Sequence, residues 1–246
     1  MKNCFSKEGL EIARAEGRRY LDQSLQYPHT DTVTFVNPNN TILGRRLDKY
    51  REILSHNGAP DIVDFLSSRP NAVVVDGGSG AASALCDLRP LFPNARLIGI
   101  DVRNVAQNRL EGSDRRVGEV LHERNVEFYQ DAFLEIQKYA KDGYDLYLSV
   151  GAFFNYRRPQ IPHAPVLKHL YDGLVPGGIT LIQYNPSAEM WAQAKECLDS
   201  IGLPHKLIPS DKGILNKHAL GHNEAILGTL VLGPKTAEAS QTPTTS

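Results

Sequence analysis

Two carboxylates and two glycines in this chain have the types and spacing to hold a nucleoside. Val73-Val74-Val75 reads as a buried strand ending on Asp76, and the turn that follows carries Gly78 and Gly80. Glycine enters positive φ without steric cost and lets the backbone come close to a ligand. A second strand, Arg96-Leu97-Ile98-Gly99-Ile100, ends on Asp101, about 20 residues beyond the turn. A glycine-rich turn after a first strand, with a carboxylate at that distance, is the plan of an α/β nucleoside-binding unit. The turn admits the ligand, and the distal carboxylate accepts hydrogen bonds from the ribose hydroxyls.

Asp76 narrows the kind of nucleoside. A dinucleotide places its pyrophosphate on a helix N-terminus, where backbone N–H groups and the helix dipole favour anions. A carboxylate on the threshold of the turn repels such a ligand, and Ser83 stands where that fingerprint wants Gly or Ala. S-adenosylmethionine (SAM) has no phosphate and carries an ammonium and a sulfonium, which an acid beside the turn suits. Asp76-Gly77-Gly78-Ser79-Gly80 resembles motif I of the class I SAM-dependent methyltransferases, with Ala82 where that family often has a third glycine.

The resemblance covers roughly residues 70 to 232. It implies that Asp101 binds ribose, and that Asp131, after the short strand Val126-Glu127-Phe128-Tyr129-Gln130, reads the adenine amino group. Gly143 to Gly151 resembles the fourth strand, which in the family runs past the methyl group into the substrate pocket; this places Ser149 and Gly151 at the cofactor. Leu170 to Ile182, with Pro176-Gly177-Gly178, is similar to the family's helix, turn and fifth strand, and the triplet reads as architectural. Taken alone, Asp101 is equally a favoured helix N-cap and Asp131 a turn former. The order of all five pieces carries the resemblance.

The implied fold is a Rossmann-like, doubly wound, mostly parallel seven-stranded α/β sheet with an antiparallel C-terminal hairpin, near Pro204 to Ile208 and Ala225 to Leu232. Residues 1–69 read as an N-terminal helical cap, with helical patterns over Glu8 to Leu25, Thr41 to His56 and Ala59 to Ser67. Residues 70–233 form the SAM-binding core. Residues 234–246, rich in Thr, Ser and Ala, have almost nothing to bury and read as a disordered tail.

Methyl transfer is a displacement at a sulfonium carbon. It requires alignment, and a general base only where the acceptor must lose a proton first. Candidates cluster after the fourth strand. His163, in the Pro-flanked loop Ile161-Pro162-His163-Ala164-Pro165, and Tyr156 are the catalytic candidates, since imidazole titrates near working pH. Phe153, Phe154, Asn155 and, past the fifth strand, Tyr184 are the substrate-facing candidates; either phenylalanine reads equally as core. His169 falls on the next helix and ranks below His163. His218 and His222 lack a nearby carboxylate pair, so no metal is expected.

Among 246 residues, 27 Lys and Arg nearly balance 28 Asp and Glu, which argues against a nucleic-acid partner. The arginines between 103 and 124 are interleaved with Glu111, Asp114, Glu119 and Glu123, as on a solvated face. No apolar run reaches the ~18 residues of a membrane span, and the N-terminus lacks the apolar core of a signal peptide. Cys4, Cys86 and Cys197 show no metal-like pairing and read as reduced thiols of a cytoplasmic protein. The expected activity is O- or N-methylation of a small metabolite. The rival readings are a nucleic-acid methyltransferase, a dinucleotide-dependent oxidoreductase and a non-catalytic SAM- or partner-binding protein.

Overall fold

The β-branched and apolar runs form seven strands: β1 Val73–Gly77, β2 Arg96–Asp101, β3 Val126–Gln130, β4 Tyr144–Ser149, β5 Leu174–Tyr184, β6 His205–Pro209 and β7 Gly228–Leu232. The structure, a computed structural model, describes residues 4–26, 46–55, 57–108, 114–150, 163–184, 186–210 and 228–236. The strands lie in the order β3-β2-β1-β4-β5-β7-β6. The β3 to β5 part is parallel throughout, while β7 pairs antiparallel with both β5 and β6. This is the Rossmann-like sheet and C-terminal hairpin expected from the sequence. Pro209 falls on β6, an edge strand, where a missing N–H breaks no ladder.

Strand alternation divides the core between the two sheet faces. On one face Val74, Leu97, Leu146, Leu148 and Leu181 pack against α2 (Leu47–Leu54), α3 (Ile62–Ser67), α4 (Ser83–Leu88) and α5 (Val117–Glu123). On the other, Val75, Ile98, Ile100, Tyr147 and Ile182 pack against α6 (His163–Asp172), α7 (Ala188–Ser200) and a 3₁₀ turn over Phe133–Lys138. Three helix starts are capped as their residue types dictate, the first by Ser6, which accepts from the Gly9 amide ahead of the helix Lys7–Gln26. Asp61 accepts from the amides of Val63 and Asp64, and Ser187 accepts from that of Met190.

The N-terminal helices serve both faces. α1 (Lys7–Gln26) lies against α6 and the 133–138 turn, whereas α2 packs on α4, β5 and β7. This arrangement corrects the expectation of three reduced thiols. Cys4 and Cys197 form a disulfide, their Cα atoms 5.6 Å apart across a sequence separation of 193. The pairing follows from packing, since α1 and α7 both lean on α6 and so bring their ends together. Cys86 is a free thiol, pushed up to about 11 by burial first and by Asp87 second.

At the N-terminal edge of the strands, Arg69 donates to Asp145 (2.8 Å) and to the Gly177 carbonyl (3.0 Å), and Asp145 accepts from the Val73 amide (2.9 Å). The Pro176-Gly177-Gly178 segment therefore sits inside β5, at the end of the sheet away from Asp76 and Asp101. Its role is architectural.

His169 is a core histidine. It is buried on α6, and its Nε2–H donates to the Leu134 carbonyl at 2.9 Å. Burial, the largest influence, lowers its pKa, and the Leu134 carbonyl only partly counters this. The native state therefore holds the neutral ring, while the unfolded chain takes up a proton near pH 6.5. Its contribution to stability is complete above that pH and is lost as pH falls toward the lower native value. Thermal unfolding should show Tm falling between pH 7 and pH 5, with a shallower slope in His169→Gln. An identical slope in the variant would remove His169 as the cause.

Candidate functional site

The site forms at the C-terminal ends of β1 and β2, where open α/β sheets bind ligands. After β1 the chain turns through Gly78 (φ 77) and Gly80 (φ 57), both in the region that favours glycine. The turn descends onto β2. A Cβ on Gly99 would meet Ser79 Oγ at 2.9 Å and the Ala82 methyl at 3.1 Å, so a glycine in β2 makes room for it. In consequence the turn's amides are consumed internally. Gly78 and Ser79 donate to the Ile100 carbonyl (2.7 and 3.1 Å), Gly80 donates to Asp101 Oδ2 (2.9 Å), and Ala82 donates back to Ser79 (3.0 Å). An anion arriving here would find these four donors spent and Asp76 and Asp101, both buried, beside it.

Each carboxylate is held in place. Asp76, fully buried, accepts from the Tyr50 hydroxyl at 2.8 Å. Tyr50 comes from α2, so the N-terminal region reaches the first motif directly. Asp101 accepts from the Arg103 amide (2.9 Å) and from its guanidinium (2.9 and 3.2 Å) in addition to Gly80. Burial is the largest single influence on Arg103 and lowers its pKa, but the hydrogen bonds and charge of Asp101 together outweigh it and leave the pKa raised. Tyr50 was not picked out in the sequence, and Arg103, read there as part of a solvated arginine run, is instead paired with buried Asp101. A tyrosine on the apolar stripe Leu47, Tyr50, Leu54 signals the first, since a buried phenol needs a polar partner. An Asp at the end of a strand, whose side chain can accept from the amide two residues on, signals the second.

The remaining cofactor candidates are engaged otherwise. Asp131 Oδ1 accepts from the Ala132 amide, and its Oδ2 accepts from Tyr139 (2.7 Å) and Lys138 (3.1 Å), both at the end of the following 3₁₀ turn. Its backbone amide donates to the Asp101 carbonyl, so Asp131 stands beside the site with its side chain turned to that turn. Ser149, fully buried, donates to the Gly77 carbonyl (2.8 Å) and ties β4 to β1.

His163 differs from the expectation of a loop residue. It opens α6 and is buried, and its Nδ1 lies 2.5 Å from the Tyr184 hydroxyl. The prolines do not forbid this. Pro165 falls in the first helical turn, where an N–H has no intrahelical acceptor to lose. Burial raises the Tyr184 pKa, so the phenol keeps its proton at neutral pH. Tyr184 ends β5, two strands from β1 through β4, so the His163–Tyr184 pair stands roughly 10 Å along the same sheet edge. Gly151, Phe153, Phe154, Asn155 and Tyr156 lie outside the described residues, as do His218 and His222. Among the described residues no three His, Cys, Asp or Glu group as a metal-holding set, and no helix is long and apolar enough to cross a membrane.

No protein-family model matches the chain, and no curated protein matches it. Solved structures do. DesVI from Streptomyces venezuelae is 11% identical, over 76% of this chain and 92% of that one, with a TM-score of 0.48. An rRNA methylase from Streptococcus thermophilus is 18% identical, over 71% and 94%, with a TM-score of 0.42. A precorrin-6y C5,15-methyltransferase from Geobacter metallireducens is 17% identical, over 69% and 82%, with a TM-score of 0.40. Identities this low carry no residue roles from those proteins to this one. The mostly parallel seven-stranded sheet with its antiparallel C-terminal hairpin is the fold that the class I methyltransferase resemblance implies.

Because Tyr50 links α2 to a fully buried carboxylate, Tyr50→Phe removes one charge-assisted hydrogen bond and little volume. Urea unfolding should show a loss of about 1.5–3 kcal/mol. A loss below about 0.5 kcal/mol would mean that the hydroxyl does not hold Asp76.

Proposed function

We propose that this chain is a SAM-dependent methyltransferase acting on an O or N atom of a small-molecule metabolite. The observation that carries the nucleoside half is the state of the glycine turn: the amides of Gly78, Ser79, Gly80 and Ala82 are spent within the protein, and Asp76 and Asp101 lie buried against it. A pyrophosphate needs the opposite arrangement, free N–H donors and no adjacent carboxylate. A nucleoside with a cationic side chain fits what is present. Among dinucleotide and sulfonium ligands, these residues favour the second.

The roles then divide. Asp101 accepts the ribose hydroxyls, and Asp76, fixed by Tyr50, supplies negative potential under the ammonium and sulfonium. Asp131 borders the adenine position, and Ser149 fixes the edge of β4 against β1. When bound, SAM supplies an electrophilic methyl group on a sulfonium. At the far end of the edge, His163 takes a proton from the acceptor at Nε2, which requires its Nδ1–H to donate to the Tyr184 oxygen. Tyr184 is thereby the residue that orients the base. Gly151 is placed at the cofactor, and Phe153, Phe154, Asn155 and Tyr156 at the acceptor, on the sequence alone.

A small acceptor is favoured over nucleic acid by the pairing of basic groups. Arg115 meets Glu123, Arg96 meets Glu127, and Arg89 is occupied by four backbone carbonyl contacts. Arginines committed in this way do not release counterions from a phosphate backbone.

Isothermal titration with SAM, S-adenosylhomocysteine and NADH is the direct test. Micromolar binding of the two sulfur nucleosides without NADH is expected. NADH binding alone would reverse the assignment, and binding without methyl transfer to any metabolite or RNA fraction would favour a non-catalytic SAM-binding protein. Transfer to RNA alone would replace the acceptor class. With an acceptor in hand, His163→Ala should lower kcat by about 10²-fold or more and leave SAM affinity unchanged. An unaltered kcat would end its role as base.

A further inference from the structure

A carboxylate has two oxygens and about four acceptor positions, and in Asp101 all four are taken. Oδ2 accepts from the Gly80 amide (2.9 Å) and Arg103 Nη2 (3.2 Å); Oδ1 accepts from the Arg103 amide (2.9 Å) and Arg103 Nε (2.9 Å). Two of these donors are backbone and cannot leave without moving the fold. The Gly80 amide belongs to the turn that is seated on β2. The Arg103 amide is fixed by its two-residue spacing from Asp101, and the adjoining Val102 carbonyl accepts from Gln130 Nε2 on β3 (3.1 Å). Only the guanidinium is removable. It contributes one N–H to each carboxylate oxygen, the same pattern of two adjacent donors that a ribose diol would offer. It also covers the acid, since the Arg103 side chain is 32% exposed while that of Asp101 is 5% exposed.

We propose that the Arg103 guanidinium is a built-in stand-in for the ribose diol, which the incoming nucleoside must displace from Asp101. The inference rests on the nucleoside reading of the site and adds to it a residue that sets affinity. Binding exchanges two guanidinium hydrogen bonds for two hydroxyl hydrogen bonds, so the diol adds little net affinity in the native chain. The competent state, with Arg103 swung out, is a minority of the free protein, and apparent affinity is reduced by its fraction. What the guanidinium preserves is the carboxylate: in the dominant ligand-free state Asp101 keeps its full set of donors, and the cost of leaving it buried without them is what keeps the swung-out state a minority. The backbone of Arg103 stays in place throughout, so the motion is confined to one side chain.

The test compares full-length wild type, Arg103→Ala and Arg103→Lys by titration with S-adenosylhomocysteine and with its 2′,3′-dideoxy analogue, after a thermal melt has confirmed that each variant is folded. Arg103→Ala should bind S-adenosylhomocysteine about tenfold more tightly, as expected from removing a competing charge-assisted pair. The gain should be confined to the ligand that carries the diol. Arg103→Lys, which keeps the charge and loses the fork, should fall between the two and serves in place of Arg103→Ala if that variant does not fold. Equal or weaker binding by the variants, with wild-type binding intact, would overturn the proposal and make Arg103 a fixed clamp on Asp101. Equal gains for both ligands would overturn it as well, because the guanidinium would then block the site without imitating the diol. No binding by any of the three proteins would overturn the nucleoside reading itself, a different outcome from a wild type that binds and a variant that fails to gain.

Discussion

The descent of the first turn onto β2 governs the site. A chain leaving β1 can rise away from the sheet and present its amides to a ligand, or it can fold down and spend them. Here it folds down: two amides meet the Ile100 carbonyl and a third meets the Asp101 carboxylate. The absence of a side chain at Gly99 permits this approach, since any Cβ there would press on Ser79 and Ala82. From that packing follow the inversion of the usual electrostatics and the burial of both carboxylates. The Arg103 guanidinium then completes the donor set of the second one. On the proposed reading, a preference for a cation over an anion is thus a consequence of how closely two strands' ends are packed.

Ala82 shows how the same turn tolerates a departure from the resembled pattern. It takes φ 53, ψ 31 at the start of α4, the left-handed conformation for which the family often uses glycine. For alanine that conformation costs about 1–2 kcal/mol. Two effects oppose the cost. The methyl group is fully buried, which contributes about 0.8 kcal/mol, and alanine gives up less unfolded-state freedom than glycine, about 0.4–1 kcal/mol. These terms offset part of the cost, and the left-handed conformation is held by the packing of the turn on β2.

The parallel sheet, the hairpin and the placement of Asp76, Gly78, Gly80 and Asp101 at the strand ends were readable because each is encoded locally: a β-branched run, a glycine pair, an acid at the end of a strand. What the sequence did not disclose depends on distant or out-of-register partners. Cys4 and Cys197 meet because two helices share a third, a contact that no spacing rule reaches. Tyr50 acts on Asp76 from a helix read only as part of a cap. Asp131 stood in the right place in the chain, yet its carboxylate is drawn to Tyr139 and Lys138, whose approach depends on a 3₁₀ turn. His163 was read as a loop residue because prolines flank it, although proline is compatible with the first turn of a helix, and burial against Tyr184 follows from that start.

The two halves of the site lie on opposite faces of one sheet. Asp76 and Asp101 point toward the side covered by α2 and α4, and His163 and Tyr184 belong to the side covered by α6 and α7. Both lie toward the C-terminal ends of parallel strands, so their separation is set by the register of β1, β4 and β5 and by the Ser149 hydrogen bond that holds the Gly77 carbonyl against β4. A displacement in line through a single carbon depends on that separation more than on the strength of any one contact, because alignment of the reacting groups is worth roughly 7–11 kcal/mol while each hydrogen bond contributes about 1. On the proposed reading, the sheet is therefore the part of the protein that aligns donor and acceptor, and the connection between β4 and α6 is left to choose which acceptor is aligned.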